Sequence, residues 1–268
     1  MFTFTLGRKT DFSYKTNQLI ALLSLLVVAI GWMLTGKVSS GIYIGVGVFL
    51  TWALSREIDP KHEYSAFLAA AFSFLNLLYY DNVQLLVIVW MLLLMRIVNG
   101  ITGKELTVFD IFSVLGLTIY LSLNGGNSVY LVIFILAIAF IIKAREKMRA
   151  ALIASGIGLA FFIVESFFMS YLSFNTINYL DPINIFAIAT LSLSFVLFWF
   201  LSKAETEDDK GNRLNRFKLL ASQIVYSSAV LLLFLFGDTS LNNLIIYLSA
   251  IVGVTIYFIG FNILNREK

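Results

Sequence analysis

One carboxylate of this sequence lies inside an otherwise apolar stretch. Glu165 is flanked by four phenylalanines, an isoleucine and a valine between positions 161 and 168. An ionisable side chain in hydrocarbon costs about 2.5–3.5 kcal/mol on insertion scales, and such residues usually face the bundle interior and mark an ion or proton pathway. Glu165 is therefore a candidate for proton or ion binding. The alternative is that its side chain is simply protonated, or reaches the nearby end of the segment, and has no function.

A second group of reactive side chains clusters in two polar connections, at 56–65 and near 96–105. The first connection includes the only histidine of the chain. The candidate ligand-binding residues of the two connections are Glu57, Asp59, His62, Glu63, Arg96 and Lys104. Carboxylates bind Mg²⁺ and basic side chains bind phosphate, so this set would suit a phosphorylated lipid, with Glu57, Asp59 and Glu63 on the metal. The alternative is an ordinary solvated connection with a helix start and the positive charges of an inner membrane face.

Residue types exclude other catalytic arrangements. The chain has no cysteine and one histidine, so it has no thiol nucleophile, no cysteine-based metal centre and no two-histidine metal motif. The run 100–105 contains a Gly-Lys pair but lacks the spacing and the Ser or Thr of a phosphate-binding loop. We therefore assign no cofactor, and a metal only under the lipid-phosphate alternative.

The elements that position these residues must be membrane helices. Apolar residues make up 59% and charged residues 13% of the 268 residues, whereas soluble domains have about 45–50% and about 25%. This excludes a soluble enzyme and a nucleic-acid-binding domain. A spanning helix needs about 20 mostly apolar residues, with a range of about 17–25. Ten segments reach or approach that length: 17–34, 38–55, 65–80, 83–98, 107–123, 128–143, 151–171, 184–202, 219–236 and 244–264. We predict an all-α, polytopic bundle of ten transmembrane helices in a single integral membrane domain, 1–268.

Lysines and arginines predict the orientation of these segments, because they are retained on the cytoplasmic side. With the N-terminus inside, Lys37 is the only one of the 19 basic residues that falls in an outer connection. Removing or merging a single segment would destroy this segregation. The charges therefore favour an even number of spans with both termini in the cytoplasm. We expect a multi-pass protein of a cell membrane, and the short connections suit a bacterial cytoplasmic membrane.

The two prolines of the chain suggest an internal repeat. Each follows an aspartate, at Asp59-Pro60 before the third segment and at Asp181-Pro182 before the eighth. If these correspond, the chain consists of two five-span halves, 1–126 and 127–268, of opposite orientation, a plan that recurs in secondary transporters. The alternative is that Asp-Pro marks only a helix start, since Asp caps a helix N-terminus and Pro suits its first turn.

Pairs of small residues four positions apart predict where helices pack closely. Gly41 and Gly45 form one such pair in the second segment, and Ser249 and Gly253 form another in the tenth. Small residues let two helix backbones approach each other. We interpret both pairs as packing contacts rather than as sites.

Three functions are compatible with these features. The first is a permease or exporter of a small solute or amphiphile, with Glu165 in or near the translocation path. It depends on the even span count, the repeat and the intramembrane carboxylate. The second is a membrane enzyme that acts on a phosphorylated lipid at the cytoplasmic face, and the third is a non-catalytic membrane subunit. We expect membrane lipid and a small-molecule or lipid substrate as partners and no nucleic acid, and we leave oligomerisation open.

Overall fold

The structure is a computed structural model that describes residues 3–8, 11–79, 83–144, 149–173, 181–237 and 239–266. Within these ranges the regular secondary structure is helical, apart from one isolated β-bridge between Glu207 and Arg213. The ten α-helices are α1 Lys15–Thr35, α2 Val38–Ile58, α3 Glu63–Phe72, α4 Leu85–Asn99, α5 Val108–Gly125, α6 Val129–Ala144, α7 Arg149–Phe168, α8 Pro182–Leu201, α9 Arg216–Leu235 and α10 Leu241–Arg266. The predicted all-α class is confirmed.

Each predicted apolar segment corresponds to one α-helix of the described chain. Seven of the described helices are long and apolar enough to cross a membrane, namely α1, α2, α5, α7, α8, α9 and α10. α4 and α6 are apolar but shorter, with 15 and 16 residues. The structure therefore supports a multi-pass helical protein, while the count of ten spans and the orientation of the termini stay predictions.

The third segment differs from its prediction of a helix over 65–80. α3 ends at Phe72 after 10 residues, and a 3-10 helix, Ser73–Leu77, continues the chain. The Ser73 hydroxyl donates a hydrogen bond to the Ala70 carbonyl at 2.7 Å, three residues back, and such bonds compete with the α-helical ladder. At 1.5 Å and about 2 Å per residue, the two helices together span about 25 Å, just short of a bilayer core of about 30 Å.

The two Asp-Pro pairs have different local structures. Asp181 is the N-cap of α8, because its Oδ1 accepts a hydrogen bond from the Ile183 N–H at 3.0 Å and Pro182 occupies the first turn. Asp59 instead directly follows α2, and α3 begins only at Glu63. Asp181-Pro182 is therefore a helix start, as the alternative interpretation predicts. The duplication itself stays a prediction.

The helices form two compact units, which we call the first and the second unit. The first contains residues 3–8, α5, α6, α7, α9 and α4 from Trp90 onward. The second contains α1, α2, α3, α10 and α4 up to Val89. α8 contributes its ends to the first unit and Ala189–Leu197 to the second. These units reflect contact in space, so they do not test the sequence halves 1–126 and 127–268.

The first unit surrounds a narrow buried face of α7. Within it, α6 packs against α5, α7 and α9, and α5 packs against α7. α7 buries a stripe of Ala151, Ala154, Gly158 and Glu165, whereas its large apolar side chains point outward, with Phe168 80% exposed. A helix that is apolar on its exposed face needs lipid around it rather than water. The one carboxylate of α7 is thus turned away from that exposed face.

The second unit packs through glycines. A Cβ atom on Gly41 would lie 2.4 Å from the Val28 carbonyl oxygen, and one on Gly45 would lie 2.3 Å from Val28 Cγ2, so α1 and α2 are in close contact. A Cβ atom on Gly253 would lie 2.4 Å from the Cα of Ala69, which brings α10 equally close to α3. The predicted packing role of these glycines is confirmed.

Candidate functional site

Glu165 lies one turn before the end of α7 and is 1% exposed. It shares a helix face with Ala151, Ala154 and Gly158, whose small side chains let α5 and α6 approach that face. A Cβ atom on Gly158 would already touch the Phe134 ring at 3.5 Å. The packing that buries this stripe therefore also buries the carboxylate.

Within the described part of the chain, the Glu165 carboxyl group has one polar partner. The Ser122 hydroxyl, in the last turn of α5, is hydrogen-bonded to Glu165 Oε2. The other oxygen, Oε1, is buried and has no hydrogen-bond partner among the residues that the structure describes. The ion pairs formed among the described residues do not include Glu165. A buried carboxylate without a cation is costly, so this group must either be protonated and therefore uncharged, or bind a cation.

Asn127 extends the polar network of Ser122. Ser122 Oγ lies 2.9 Å from the Asn127 carbonyl oxygen, in the turn between α5 and α6. The Asn127 side chain accepts a hydrogen bond from the Val129 N–H at 3.0 Å and donates one to the Phe236 carbonyl at 3.2 Å. Asn127 therefore links the ends of α5, α6 and α9.

A further set of hydrogen bonds links this turn to the end of α7. The Tyr171 N–H donates to the Glu165 carbonyl at 3.1 Å, and the Tyr171 carbonyl accepts from the Ser128 N–H at 3.1 Å. The hydroxyls of Ser128 and Ser166 lie 2.9 Å apart. We call Ser122, Asn127, Ser128, Glu165 and Ser166 the Glu165 cluster. Sequence reasoning found only Glu165, although the polar run 124–128 and the Glu165-Ser166 pair were visible in the sequence.

Residues 56–65 lie in the second unit, at the end of α2, the start of α3 and the connection between them. His62 Nδ1 lies 3.0 and 3.1 Å from the two Asp59 carboxylate oxygens, so this nitrogen carries the hydrogen of the bond. The His62 ring packs on Tyr257 and Phe261, with ring centroids 5.5 and 5.0 Å away. Arg56 forms an ion pair with Glu63 at 3.2 Å.

These contacts do not create the metal site of the lipid-phosphate alternative. Glu57 is fully buried, whereas Glu63 is about half exposed and pairs with Arg56. Among the described residues, no three His, Asp or Glu side chains are grouped so that they could hold a metal ion. The expectation that Glu57, Asp59 and Glu63 converge on a metal is therefore not supported. Of these candidates, Asp59 contacts His62, whereas Glu63 contacts Arg56.

Arg96 and Lys104 lie in the first unit, beside the N-terminal segment. Arg96 Nη1 donates a hydrogen bond to the Leu6 carbonyl at 3.1 Å. The buried Asp110 carboxylate accepts hydrogen bonds from the backbone and side chain of Thr5, at 2.8 and 2.6 Å, and from those of Thr107, at 2.9 and 2.7 Å. Thr107 and Asp110 form a capping box at the start of α5. Arg96 therefore helps to hold a backbone segment in place.

Lys104 is exposed and lines an open groove of about 430 Å³. The other lining residues are Gly100, Gly103, Glu105, Leu106 and Asp208. Partial burial raises the pKa of the Asp208 carboxyl, but hydrogen bonds from Asn212 and from the Lys210 N–H, and the Lys210 charge, outweigh it and hold this pKa below its ordinary value. The groove therefore carries both signs of charge, which does not fit a dedicated phosphate site.

The fold and the buried carboxylate define a helical protein with several candidate membrane-spanning helices. No protein-family model, curated protein or solved structure matches this chain.

Proposed function

We propose that this chain is a multi-pass permease or exporter of a small solute or amphiphile, with Glu165 on the transport path. Under this proposal the protein lies in a cell membrane, the cytoplasmic membrane of a bacterium, and its partners are membrane lipid and the transported compound. The observation that carries the proposal is that Glu165 is buried, in a helix whose outer surface is apolar, and has no basic partner among the described residues. Intramembrane carboxylates of this kind mark proton and ion pathways.

The chemistry of the site favours a proton or an organic cation as the species that Glu165 exchanges. Glu165 Oε1, which has no hydrogen-bond partner in the described chain, can accept a hydrogen bond or contact a positive charge, and Ser122 holds the other oxygen in place. Ser128 and Ser166 supply further hydroxyls nearby. A carboxyl that alternates between a proton and a cationic solute would couple the two movements, because it cannot keep both at once.

The test uses the full chain in liposomes that contain a trapped pH-sensitive dye. A pH gradient is imposed, and either ethidium, a cationic amphiphile, or choline, a small hydrophilic cation, is added outside. We expect at least one of these cations to drive proton movement across the wild-type liposomes. We expect Glu165→Gln to slow that movement by at least tenfold, because the amide exchanges no proton.

The matched control is Glu205→Gln, since Glu205 is an exposed carboxylate paired with Arg213 in the connection before α9. Its flux should equal that of the wild type. Equal flux in wild type and Glu165→Gln would remove Glu165 from the path. Absence of proton movement with either cation in the wild type would contradict a proton-coupled cation permease.

A further inference from the structure

If Glu165 is ionised, the Ser122 hydroxyl has two acceptors beside it but only one hydrogen to donate. A serine hydroxyl carries one hydrogen, while a carboxylate and a backbone carbonyl can only accept. Ser122 Oγ is within hydrogen-bond distance of both the Glu165 carboxyl and the Asn127 carbonyl oxygen. With an ionised Glu165, one of these two contacts has no hydrogen of its own.

A proton on Glu165 supplies the missing hydrogen. The carboxylic acid then donates through Oε2 to Ser122 Oγ, and the Ser122 hydroxyl donates to the Asn127 carbonyl. Each contact has one hydrogen, and the buried carboxyl carries no charge, which removes the cost of an unpaired ion in the bundle. The hydrogen-bond geometry thus agrees with the neutral acid and conflicts with the carboxylate.

We propose that Glu165 is held as a neutral carboxylic acid by a chain of hydrogen bonds through Ser122 to Asn127, and that its deprotonation opens the junction of α5, α6 and α9. The proton leaves Oε2 for water or is displaced by the solute. The Ser122 hydrogen then turns from the Asn127 carbonyl to Glu165 Oε2. The Asn127 carbonyl is left without that donor, at the residue whose side chain joins α6 to α9.

Among the described titratable groups of the first unit, Glu165 is the one whose carboxyl group is hydrogen-bonded to Ser122, in the last turn of α5. On the elements packed around it, the charged residues Asp110, Lys143, Arg149, Arg216 and Lys218 lie at the opposite helix ends. Arg149, for example, lies about 24 Å from Glu165 along α7. Toward this end, the described chain also contains Asp181, which caps α8, and the phenols of Tyr120, Tyr130 and Tyr171. Protonation of Glu165 can therefore alter the hydrogen bonds of Ser122 and Asn127, which join the ends of α5, α6 and α9.

The first test is the infrared C=O stretch of a protonated carboxylic acid, measured on the full chain in liposomes at pH 7. We expect the band in the wild type and in Glu205→Gln, and its loss in Glu165→Gln. In Ser122→Ala the band should shift, because the acid has lost its acceptor, and Ser122→Thr should restore its position. Identical spectra for wild type and Glu165→Gln, or no band shift in Ser122→Ala, would overturn the proposal.

The second test is hydrogen exchange of the Asn127 and Ser128 amides as the pH is raised. Corrected for its intrinsic dependence on pH, exchange in the wild type should quicken roughly fivefold at the pH where the band disappears, as expected for the loss of one hydrogen bond. It should not respond in Glu165→Gln, and a response that persists there would contradict the switch. The exchange of this proton for a solute rests on the proposed function, whereas the neutral state of Glu165 does not. An infrared band without cation-driven proton movement would contradict only the permease. Proton movement without the band would contradict only the neutral state of Glu165.

Discussion

The contact between α3 and α10 allows a sharp test of the packing in the second unit. Gly253 of α10 faces Ala69 of α3, where an added Cβ atom would lie 2.4 Å from both the Cα and the backbone nitrogen of Ala69. These are backbone atoms, so no side-chain rotation can make room. Gly253→Ala must therefore push the two helices apart by about 1 Å to reach an ordinary contact of about 3.5 Å.

The expected magnitude combines two opposing effects. Overpacking costs about 1–3 kcal/mol, and the rigid backbone here favours the upper end. Replacing a helical glycine by alanine recovers about 0.5–1 kcal/mol of backbone entropy. We therefore expect Gly253→Ala to lower the free energy of unfolding by about 2 kcal/mol. Gly260→Ala, in the same helix but with nothing within 4 Å of its added Cβ atom, should raise it by about 0.5–1 kcal/mol.

The measurement is the unfolding of both variants and the wild type in mixed detergent micelles, followed by circular dichroism as a denaturing detergent is added. The two alanine variants should differ by about 3 kcal/mol, with the wild type between them. If Gly253→Ala proved as stable as Gly260→Ala, α10 would not pack on α3 as described, and the core of the second unit would be wrong.

Two further predictions concern the first unit. Asp110→Asn should lower the stability of this unit by about 1–3 kcal/mol and expose residues 3–8 to protease, because the amide cannot accept from all four Thr5 and Thr107 donors. The control is Glu105→Gln, at an exposed residue in the connection before α5, which should change neither the stability nor the protease sensitivity. Asp208 has a lowered pKa, so its hydrogen bonds hold above an unfolded pKa of about 3.9 and are lost as the pH falls through the lower folded value. Amide exchange of Lys210 and Asn212, corrected for its intrinsic rate, should quicken in that window, whereas a wild-type-like acid response in Asp208→Asn would refute the role of this carboxylate.

Most of the helical framework could be predicted from the sequence, because a segment that crosses the bilayer must be long, apolar and helical, so that its backbone hydrogen bonds are formed within the segment. Each of the ten segments was found on that basis. The early end of α3 was missed, since hydropathy does not register the Ser73 hydroxyl bond to Ala70. Close packing at Gly41 and Gly45 was predicted, because small residues four positions apart let helix backbones approach, whereas α1 as the partner helix was not.

The candidate site could be predicted only in part. The burial of Glu165 follows from its apolar neighbours, but Ser122 lies 43 residues away and the contact depends on how α5 meets α7. The lipid-phosphate set was built from charge proximity in sequence, whereas Glu63 pairs with its neighbour Arg56. The Thr107-x-x-Asp110 capping box was readable from sequence, but its role in holding Thr5 was not, because that contact joins distant segments.

The central claim is that the chain crosses a membrane repeatedly with its basic connections on one face. Because the sequence has no cysteine, single cysteines can be introduced and labelled with a membrane-impermeant maleimide in intact cells. We predict labelling of Lys37→Cys and Ser240→Cys, whereas Lys61→Cys, Lys104→Cys and Glu205→Cys should react only after the membrane is opened. Labelling of Lys104→Cys or Glu205→Cys in intact cells alongside Lys37→Cys would contradict this claim.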